Sequence, residues 1–270
     1  MTMIEIFQAI LLGIVEGLTE FLPISSTGHL IVAQDVIGYK DVAELFTVVC
    51  QMGAIAAVIW HYRQDLIEKT AGALRGEKKT LFFWRNWIVA TIPAGVIGLL
   101  FNDALERFVT VKSVAISLII GGCIIWLIET KHTAKASKSR PQFEHLTITQ
   151  SIKVGLYQIA ALIPGVSRSG ATIMGGLLSG LDRVTATAFS FYLSIPIIVL
   201  AGTYKLVKEG DKISQITGGS TALLTGVVVS FVSALLAINW LLRYVASNNF
   251  KPFAYYRIIA GVVILIALAF

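Results

Sequence analysis

The fold is decided by two polar motifs, EGLTEFLPISSTGH at residues 16–29 and PGVSRSGAT at residues 164–172. Each motif interrupts a stretch that is otherwise apolar, residues 4–37 and residues 152–181. Proline and glycine disfavour a continuous helix, so each stretch is predicted to form two short helices joined by a polar turn. Irregular backbone at membrane depth is tolerated only inside protein or beside a wet cavity. Both stretches are therefore predicted to be re-entrant helix pairs.

The breaks are placed from the helix-disfavouring residues in each motif. They fall at Pro23 and Gly28 in the first stretch, and at Pro164, Gly165 and Gly170 in the second. A shift of 142 positions aligns five pairs of residues, namely Gly13 with Gly155, Glu16 with Gln158, Ser25 with Ser167, Thr27 with Ser169, and Gly28 with Gly170. Corresponding broken segments are typical of an inverted-topology repeat with a site near the membrane midplane. The repeats are predicted to cover roughly residues 1–101 and 150–242.

The composition is that of an integral membrane protein. Of the 270 residues, 56% are hydrophobic and only 14% are charged, whereas soluble domains carry about 25% charged residues. No linker divides the chain, so residues 1–270 are predicted to form a single polytopic membrane domain. The net charge of +6 does not indicate a nucleic-acid partner, because the basic residues cluster in loops beside hydrophobic segments, as membrane topology requires.

Six further segments are apolar enough to cross a bilayer, for which about 20 residues are needed. They are residues 42–60, 87–101, 111–128, 187–206, 221–242 and 254–270. The chain is therefore predicted to be an all-α integral membrane protein with about six transmembrane helices and two re-entrant helix pairs. Glu129 and His145 fall at or beyond predicted helix ends, where solvated roles suffice for them.

The basic loops set the orientation. Residues 63–85 hold six lysines and arginines and residues 131–140 hold four, whereas residues 102–110 hold one. Because cytoplasmic loops carry the excess of positive charge, the two basic loops are predicted to be cytoplasmic. The first re-entrant pair then opens to the outer side of the membrane, and the second enters from the cytoplasm.

Ionisable side chains within the first motif indicate a functional site, because charges at membrane depth are costly. Glu16 and Glu20 are four residues apart and so lie on one helix face. His29 follows Ser26 by three residues, so the two can share a face of the next helix. The alternatives are a structural ion pair for the acids and a satisfied buried histidine. Carboxylates near a hydroxyl and an imidazole favour acid–base or metal chemistry.

The residues after each break favour binding of an anion. Ser25 or Ser26 can cap the helix after the first break, and Ser167 the helix after the second. Helix N-termini bind anions, and Arg168 can grip phosphate oxygens with two parallel hydrogen bonds. The alternatives are that the serines are caps only and that Arg168 is only the counter-ion of Glu20. Together these residue types indicate phosphate chemistry.

Both motifs resemble the signatures of the undecaprenyl-diphosphate phosphatase family. Residues 16–29 match its (E/Q)xxxE element plus a histidine, and residues 164–172 match its PGxSRSxxT element. The resemblance implies a multi-pass enzyme of the bacterial inner or plasma membrane that hydrolyses undecaprenyl diphosphate to undecaprenyl phosphate and inorganic phosphate. This reaction recycles the lipid carrier for cell-wall synthesis and confers bacitracin resistance. A polyprenyl diphosphate lipid as substrate and a divalent cation, Mg²⁺ or Ca²⁺, are also implied.

The resemblance and the residue chemistry together assign roles to both motifs. The catalytic residues are predicted to be Glu20, Ser26, His29 and Arg168, and the metal ligands Glu16 and Glu20. The predicted substrate-binding residues are Ser25, Thr27, Gly28, Ser167, Ser169, Gly170 and Thr172. Three routes remain open: attack by Ser26, attack by His29, or attack by metal-bound water with Glu20 as base. A unit of Ser26, His29 and Glu20, with Arg168 on the transferred phosphate, is favoured.

The main alternative function is a secondary transporter or lipid flippase, because inverted repeats with broken helices are typical of transporters. A transporter needs only a binding site, whereas a hydrolase also needs a nucleophile and an acid–base set. The combination of acids, serine, histidine and arginine therefore favours hydrolysis. The sequence leaves the oligomeric state open, a homodimer included.

Overall fold

The computed structural model describes residues 2–106, 110–131 and 141–269, and in this part of the chain all regular structure is helical. The α-helices are α1 (Met3–Thr19), α2 (Ser26–Ile37), α3 (Leu45–His61), α4 (Arg63–Leu74), α5 (Lys78–Glu106), α6 (Val111–Lys131), α7 (Ile148–Ile159), α8 (Arg168–Leu178), α9 (Arg183–Glu209), α10 (Gly219–Ser247) and α11 (Lys251–Ala267). Short 3₁₀ turns join several of them. The prediction of an all-α fold is confirmed for the described residues.

Five helices in the described part of the chain are long and apolar enough to cross a membrane. They are α5, α6, α9, α10 and the 20-residue segment Val42–His61, which is α3 with the 3₁₀ turn before it, and they contain five of the six predicted spans. The sixth predicted span lies in α11, which has 17 residues and is shorter than the ~20 residues of a typical transmembrane helix. The chain is a multi-pass membrane protein.

Both apolar stretches with a polar motif are broken, as predicted, and Gly165 lies in the second break with a φ value of 85°, but the other two predicted glycines do not lie in the breaks. The first stretch forms α1 and α2, and the second forms α7 and α8. Pro23 and Pro164 lie in the gaps, where they cannot donate a helical hydrogen bond. Gly28 and Gly170, predicted as break points, instead lie in the first turns of α2 and α8, because a serine caps the helix just before each of them.

Small residues let the broken helices pack closely on the long ones, as is common between membrane helices. A Cβ atom at Gly13 of α1 would lie 2.8 Å from the Gly226 carbonyl oxygen of α10. A Cβ atom at Gly155 of α7 would lie 2.6 Å from the Ala90 carbonyl oxygen of α5. Each broken helix pair is thus held against a different long helix, and the two breaks meet inside the bundle.

The basic region at residues 63–85 is not a loop. It forms α4 and the first turns of α5, and an ion pair between Lys69 and Asp65, one turn apart, stabilises α4. Of the other predicted basic loop, residues 131–140, all but Lys131 lie outside the described residues. The first part of the predicted outer loop at residues 102–110 is helical, because α5 continues to Glu106.

Glu129 is buried, contrary to the solvated role predicted for it. Its side chain is 1% exposed, and Arg183 at the start of α9 donates to both of its oxygens, at 3.1 and 2.6 Å. The backbone N–H of Phe250, just before α11, donates to the same carboxylate at 3.1 Å. This cluster ties together the ends of three helices on one side of the bundle. His145 is exposed, as predicted.

Candidate active site

Each break ends in a serine with the same unusual backbone conformation. Ser25 and Ser167 have φ values of 72° and 76°, a left-handed region that non-glycine residues rarely occupy. Each serine hydroxyl accepts a hydrogen bond from the N–H three residues later, at 3.4 Å from Gly28 and 3.1 Å from Gly170. The other first-turn N–H groups of α2 and α8 have no acceptor within their helix. Two helix N-termini suited to anions therefore converge at the breaks.

A buried ion pair joins the two breaks. Nη2 of Arg168 donates to Oε1 of Glu20 at 2.9 Å, and the side chains are 11% and 6% exposed. The other carboxylate oxygen of Glu20 accepts a short hydrogen bond from the hydroxyl of Ser26. Glu20 thus contacts both a guanidinium and a hydroxyl, so that its buried charge is compensated. The structure brings these three residues together, while their catalytic roles stay predictions.

A carbonyl of α9 holds Arg168, and hydroxyl groups of α8 connect the second break to α9 and to the first break. Nη1 of Arg168 donates to the Ser190 carbonyl oxygen of α9 at 3.0 Å. The hydroxyl of Thr172 donates to the Ser190 hydroxyl at 2.6 Å. The hydroxyl of Ser169 lies 3.0 Å from that of Ser167 and donates to the Leu22 carbonyl oxygen at 2.8 Å. These bonds fix the guanidinium and anchor one break to the other.

A cavity of about 320 Å³ lies against the ion pair. The residues at the two breaks that line its wall are Glu20, Ser25, Ser26, Thr27, Ile163, Pro164, Gly165, Ser167 and Arg168. The cavity extends past α3, α5 and α9 to Glu44, just before α3, and to Lys205, near the end of α9. It therefore runs from the breaks toward the end of the bundle at which α3 begins and α9 ends.

Three residues predicted to bind substrate lie outside this wall. Ser169, Gly170 and Thr172 are buried behind it, because their side chains or backbone bond to neighbouring protein groups. A fourth, Gly28, lines a different pocket. These residues build the site without facing the cavity.

Glu16 is a fully buried acid beside Glu20. Neither of its carboxylate oxygens has a hydrogen-bond partner within the described residues, and Glu16 lies one helical turn before Glu20. Gln158, its counterpart in the second apolar stretch, also has a side-chain oxygen without a hydrogen-bond partner among the described residues. A buried, unpartnered carboxylate close to a second one fits a hard divalent cation, which takes oxygen ligands.

The two carboxylates alone would not complete a metal site. Among the residues that the structure describes, no group of three or more His, Cys, Asp or Glu side chains is arranged to hold a metal ion. Mg²⁺ commonly binds through one or two carboxylates together with substrate phosphates and water. Glu16 and Glu20 therefore fit a cation that is held jointly with a phosphate ligand.

His29 does not join Glu20 and Ser26, contrary to the predicted catalytic unit. Its Nδ1 lies 2.7 Å from the Ser25 carbonyl oxygen, so it donates there, and its Nε2 lies 2.7 Å from the Tyr256 hydroxyl. Its ring lines a separate, mainly apolar pocket of about 410 Å³ between α1, α2, α6 and α11. The physical reason is the Ser25 carbonyl at the start of α2, which accepts from the imidazole as well as from the backbone N–H of His29, so that the ring faces this carbonyl instead of the cavity.

Two residues that contact the breaks are not evident from the motifs. Ser190 lies inside a predicted span and supplies both its carbonyl and its hydroxyl to the Arg168 region. Arg257 lies in the predicted span at residues 254–270, is fully buried, and donates to carbonyl oxygens of both breaks. An arginine within an otherwise apolar span is itself a signal of function, and this signal was available in the sequence.

Fold and site together define a polytopic helical membrane protein in which a buried ion pair and two helix N-termini meet at two helix breaks. A model of the family described as bacitracin resistance protein BacA matches residues 9–263. The chain belongs to this family.

Similar proteins cover almost the whole chain. An undecaprenyl-diphosphatase of Polaromonas sp. (strain JS666) is 48% identical over 263 residues, which are 96% of this chain and 94% of that protein. An undecaprenyl-diphosphatase of Albidiferax ferrireducens is 48% identical over 268 residues, covering 98% and 96%. An undecaprenyl-diphosphatase 1 of Burkholderia ambifaria is 46% identical over 269 residues, covering 98% and 96%.

Proposed function

We propose that this protein is an undecaprenyl-diphosphate phosphatase, which releases inorganic phosphate from undecaprenyl diphosphate and leaves undecaprenyl phosphate. The observation that carries the proposal is the contact of Glu20 with both Ser26 and Arg168 at the wall of the cavity. This contact supports the assignment of Ser26 as nucleophile, Glu20 as base and Arg168 as the phosphate-binding cation, beside the N-termini of α2 and α8. The names of the similar proteins support the same activity, which recycles the lipid carrier of the cell wall and underlies bacitracin resistance.

The geometry favours Ser26 as nucleophile. Its hydroxyl donates to Glu20, so Glu20 can take the proton as the oxygen attacks the terminal phosphorus. The bond from that phosphorus to the bridging oxygen breaks, and the lipid leaves as its monophosphate. Water then releases phosphate from the phosphoserine. Arg168 and the first-turn N–H groups would stabilise the charge on the transferred phosphoryl group, which is the main task in this chemistry.

Direct attack by water, with Glu20 as base, remains the competing route. His29 has no assigned step at this cavity, because its two ring nitrogens are bonded to Ser25 and Tyr256. By bonding the Ser25 carbonyl, the imidazole fixes the residue that caps α2. This places His29 in a supporting position for the first break.

A divalent cation, Mg²⁺ or Ca²⁺, is proposed to be held by Glu16 and Glu20. The unpartnered oxygens of Glu16 support this assignment. The cation would supply positive charge for the diphosphate. Arg168 already compensates the charge of Glu20, so the charge of Glu16 is left for the cation.

We propose an inverted repeat with the cavity open to the outer face of the bacterial plasma membrane. The equivalent φ values of Ser25 and Ser167 and the matching close contacts of Gly13 and Gly155 support the repeat. The basic region of α4 and the start of α5 supports a cytoplasmic position for that end of the bundle. The cavity reaches the opposite end, near Glu44.

The apolar part of the cavity wall suits the first isoprene units of the substrate. It includes Val48 of α3, Leu162 before α8, and Ile197 and Ala201 of α9. A site that is polar at the breaks and apolar beyond them matches a lipid with a diphosphate head. Most of a long polyprenyl chain would remain in the bilayer.

Phosphate release tests the proposed function. Purified protein in detergent is expected to release phosphate from a polyprenyl diphosphate, and chelation of divalent cations is expected to reduce the rate by about tenfold or more, since a metal that stabilises transferred charge contributes several kcal/mol. Addition of Mg²⁺ or Ca²⁺ should restore it. The same protein in liposomes would be assayed for movement of the intact lipid between leaflets. Movement without phosphate release would favour a flippase instead.

Cysteine labelling tests the orientation. In a variant that lacks Cys50 and Cys123, Thr110→Cys is expected to react with a membrane-impermeant thiol reagent on intact cells, whereas Lys78→Cys reacts only after permeabilisation. Both positions are exposed. Lys78 is the first residue of α5, and Thr110 lies beyond the other end of α5, directly before α6. The cysteine-free parent is the control for background. The reverse pattern would place the cavity opening in the cytoplasm.

A further inference from the structure

Arg257 of α11 is bonded to backbone and to no acid. Its side chain is fully buried, and none of the ion pairs in the described part of the chain involves it. Its guanidinium donates to five carbonyl oxygens at 3.0–3.3 Å, those of Pro23, Ser117, Leu118, Gly165 and Val166. One of these carbonyls belongs to the first break, two belong to the second, and two belong to α6.

The second break and the start of α2 pack against α6, close to the part of α6 that the Arg257 guanidinium contacts. A Cβ atom at Gly165 would lie 2.9 Å from the backbone of Val114, and one at Gly28 would lie 2.9 Å from its side chain. A Cβ atom at Gly121 would lie 2.2 Å from Nη2 of Arg257. Gly121 therefore makes the gap through which the guanidinium reaches both breaks.

The bonds to the breaks fix the direction of peptide groups. In a trans peptide the C=O and the following N–H point in opposite directions. Since the Val166 carbonyl points to Arg257, the N–H of Ser167 points away from Arg257, and Ser167 lines the cavity. In the first break, Arg257 holds the Pro23 carbonyl in the same way. The N–H of the same peptide group, that of Ile24, donates to the Leu22 carbonyl oxygen at 2.7 Å and closes a tight turn there.

We propose that Arg257 is a positioning residue, which holds the peptide planes of both breaks so that the capped helix ends present their N–H groups to the phosphate. Arg257 is not part of the cavity wall and acts through the backbone alone. The five acceptors require the planar fork of arginine, because an ammonium group carries only three donors at one point. The effect on turnover rests on the proposed function, whereas the effect on the breaks does not.

A role limited to joining α11 to α6 is the competing explanation. That contact has a basis of its own, since a Cβ atom at Gly261 of α11 would lie 2.6 Å from the Ala115 carbonyl oxygen of α6. Loss of a simple helix contact would loosen α6 and α11. Loss of a positioning residue would loosen the two breaks, which lie far apart in sequence.

The test compares two variants with matched controls. Arg257→Lys keeps the charge and loses the fork, and Gly121→Ala displaces the guanidinium while keeping it. Their controls are Arg243→Lys, at an exposed position of α10, and Gly95→Ala, where a Cβ atom meets nothing nearer than 4.0 Å. Hydrogen–deuterium exchange of purified protein is followed by mass spectrometry in peptides that cover residues 20–28 and 163–170.

Both variants are expected to exchange about tenfold or more faster in the two break peptides, with α10 peptides unchanged, as expected for local opening. In phosphate release, kcat is expected to fall about 100-fold, the usual cost of misplaced catalytic groups. KM should change by less than about threefold, because the substrate still reaches the cavity and Arg168. Both controls should behave as the parent protein does.

Unchanged exchange in the breaks would overturn the proposal, and so would faster exchange in every helix. If Arg257→Lys does not fold, Gly121→Ala decides alone, and normal exchange of its breaks would count against the proposal. If the parent protein releases no phosphate, the proposed function fails, while exchange of the breaks still decides the role of Arg257.

Discussion

Arg168→Lys is expected to lower kcat about 10²- to 10³-fold, which corresponds to about 3–4 kcal/mol of lost transition-state stabilisation. The lysine keeps the positive charge but cannot bond Glu20 and Ser190 and also present a planar fork to phosphate. KM is expected to rise as well, because the guanidinium also binds the ground-state diphosphate. Steady-state phosphate release by purified protein in detergent measures both parameters.

The matched control is Arg183→Lys, since Arg183 also forms a largely buried pair with a glutamate, Glu129, outside the cavity. This variant is expected to lower thermal stability while turnover per folded molecule stays within about twofold of the parent, because it leaves transition-state contacts intact. Near-parental turnover of Arg168→Lys would contradict the proposed role of Arg168 in binding the transferred phosphate. An equal loss in both variants would point to a general effect of removing buried arginines.

Ser26→Ala is expected to lower turnover by about 10⁴-fold or more if its hydroxyl is the nucleophile, since members of a catalytic unit each contribute most of its effect. The variant removes the hydroxyl that donates to Glu20 and leaves the ion pair with Arg168 in place. Attack by water would instead survive at a measurable rate, because the removed hydroxyl leaves room for water beside Glu20.

Rapid quenching with substrate labelled in the terminal phosphate separates these routes directly. Acid-stable label on the parent protein indicates phosphoserine, and acid-labile label would indicate phosphohistidine. Turnover without label on the protein would favour direct attack by water. Ser151→Ala is the control, because Ser151 is equally buried but bonds only the Thr147 carbonyl at the far end of α7; it should form label as the parent does.

The breaks and the central ion pair follow from local sequence. Pro23 and Pro164 interrupt the apolar helices wherever those helices lie, and a serine two or three residues later is a ready cap. Once two such breaks meet in one bundle, a lone glutamate and a lone arginine are driven together by the cost of burying either charge alone. Local chemistry thus predicts that Glu20, Ser26 and Arg168 share a site.

The direction of His29 and the role of Arg257 do not follow from local sequence. His29 had a nearby acid and a nearby carbonyl as partners, and the choice between them depends on Tyr256, which is 227 residues away. The acceptors of Arg257 are backbone carbonyls, which every residue has, so no sequence pattern identifies them. Glu129 looked like a helix-end residue because its partner, Arg183, comes from another helix. Long-range packing decides these cases.

The position of Arg257 in the chain has a consequence for biosynthesis. Its carbonyl acceptor in the first break, that of Pro23, is made 234 residues earlier, and its two acceptors in the second break are made 91 and 92 residues earlier. At the usual rate of translation, Arg257 is synthesised on the order of 10–50 s after the first break. Both breaks are therefore expected to mature only when α11 docks against α6. A ribosome-bound intermediate that ends before α11 would carry every residue of both motifs and still lack an ordered site, so activity would begin only after α11 has been made.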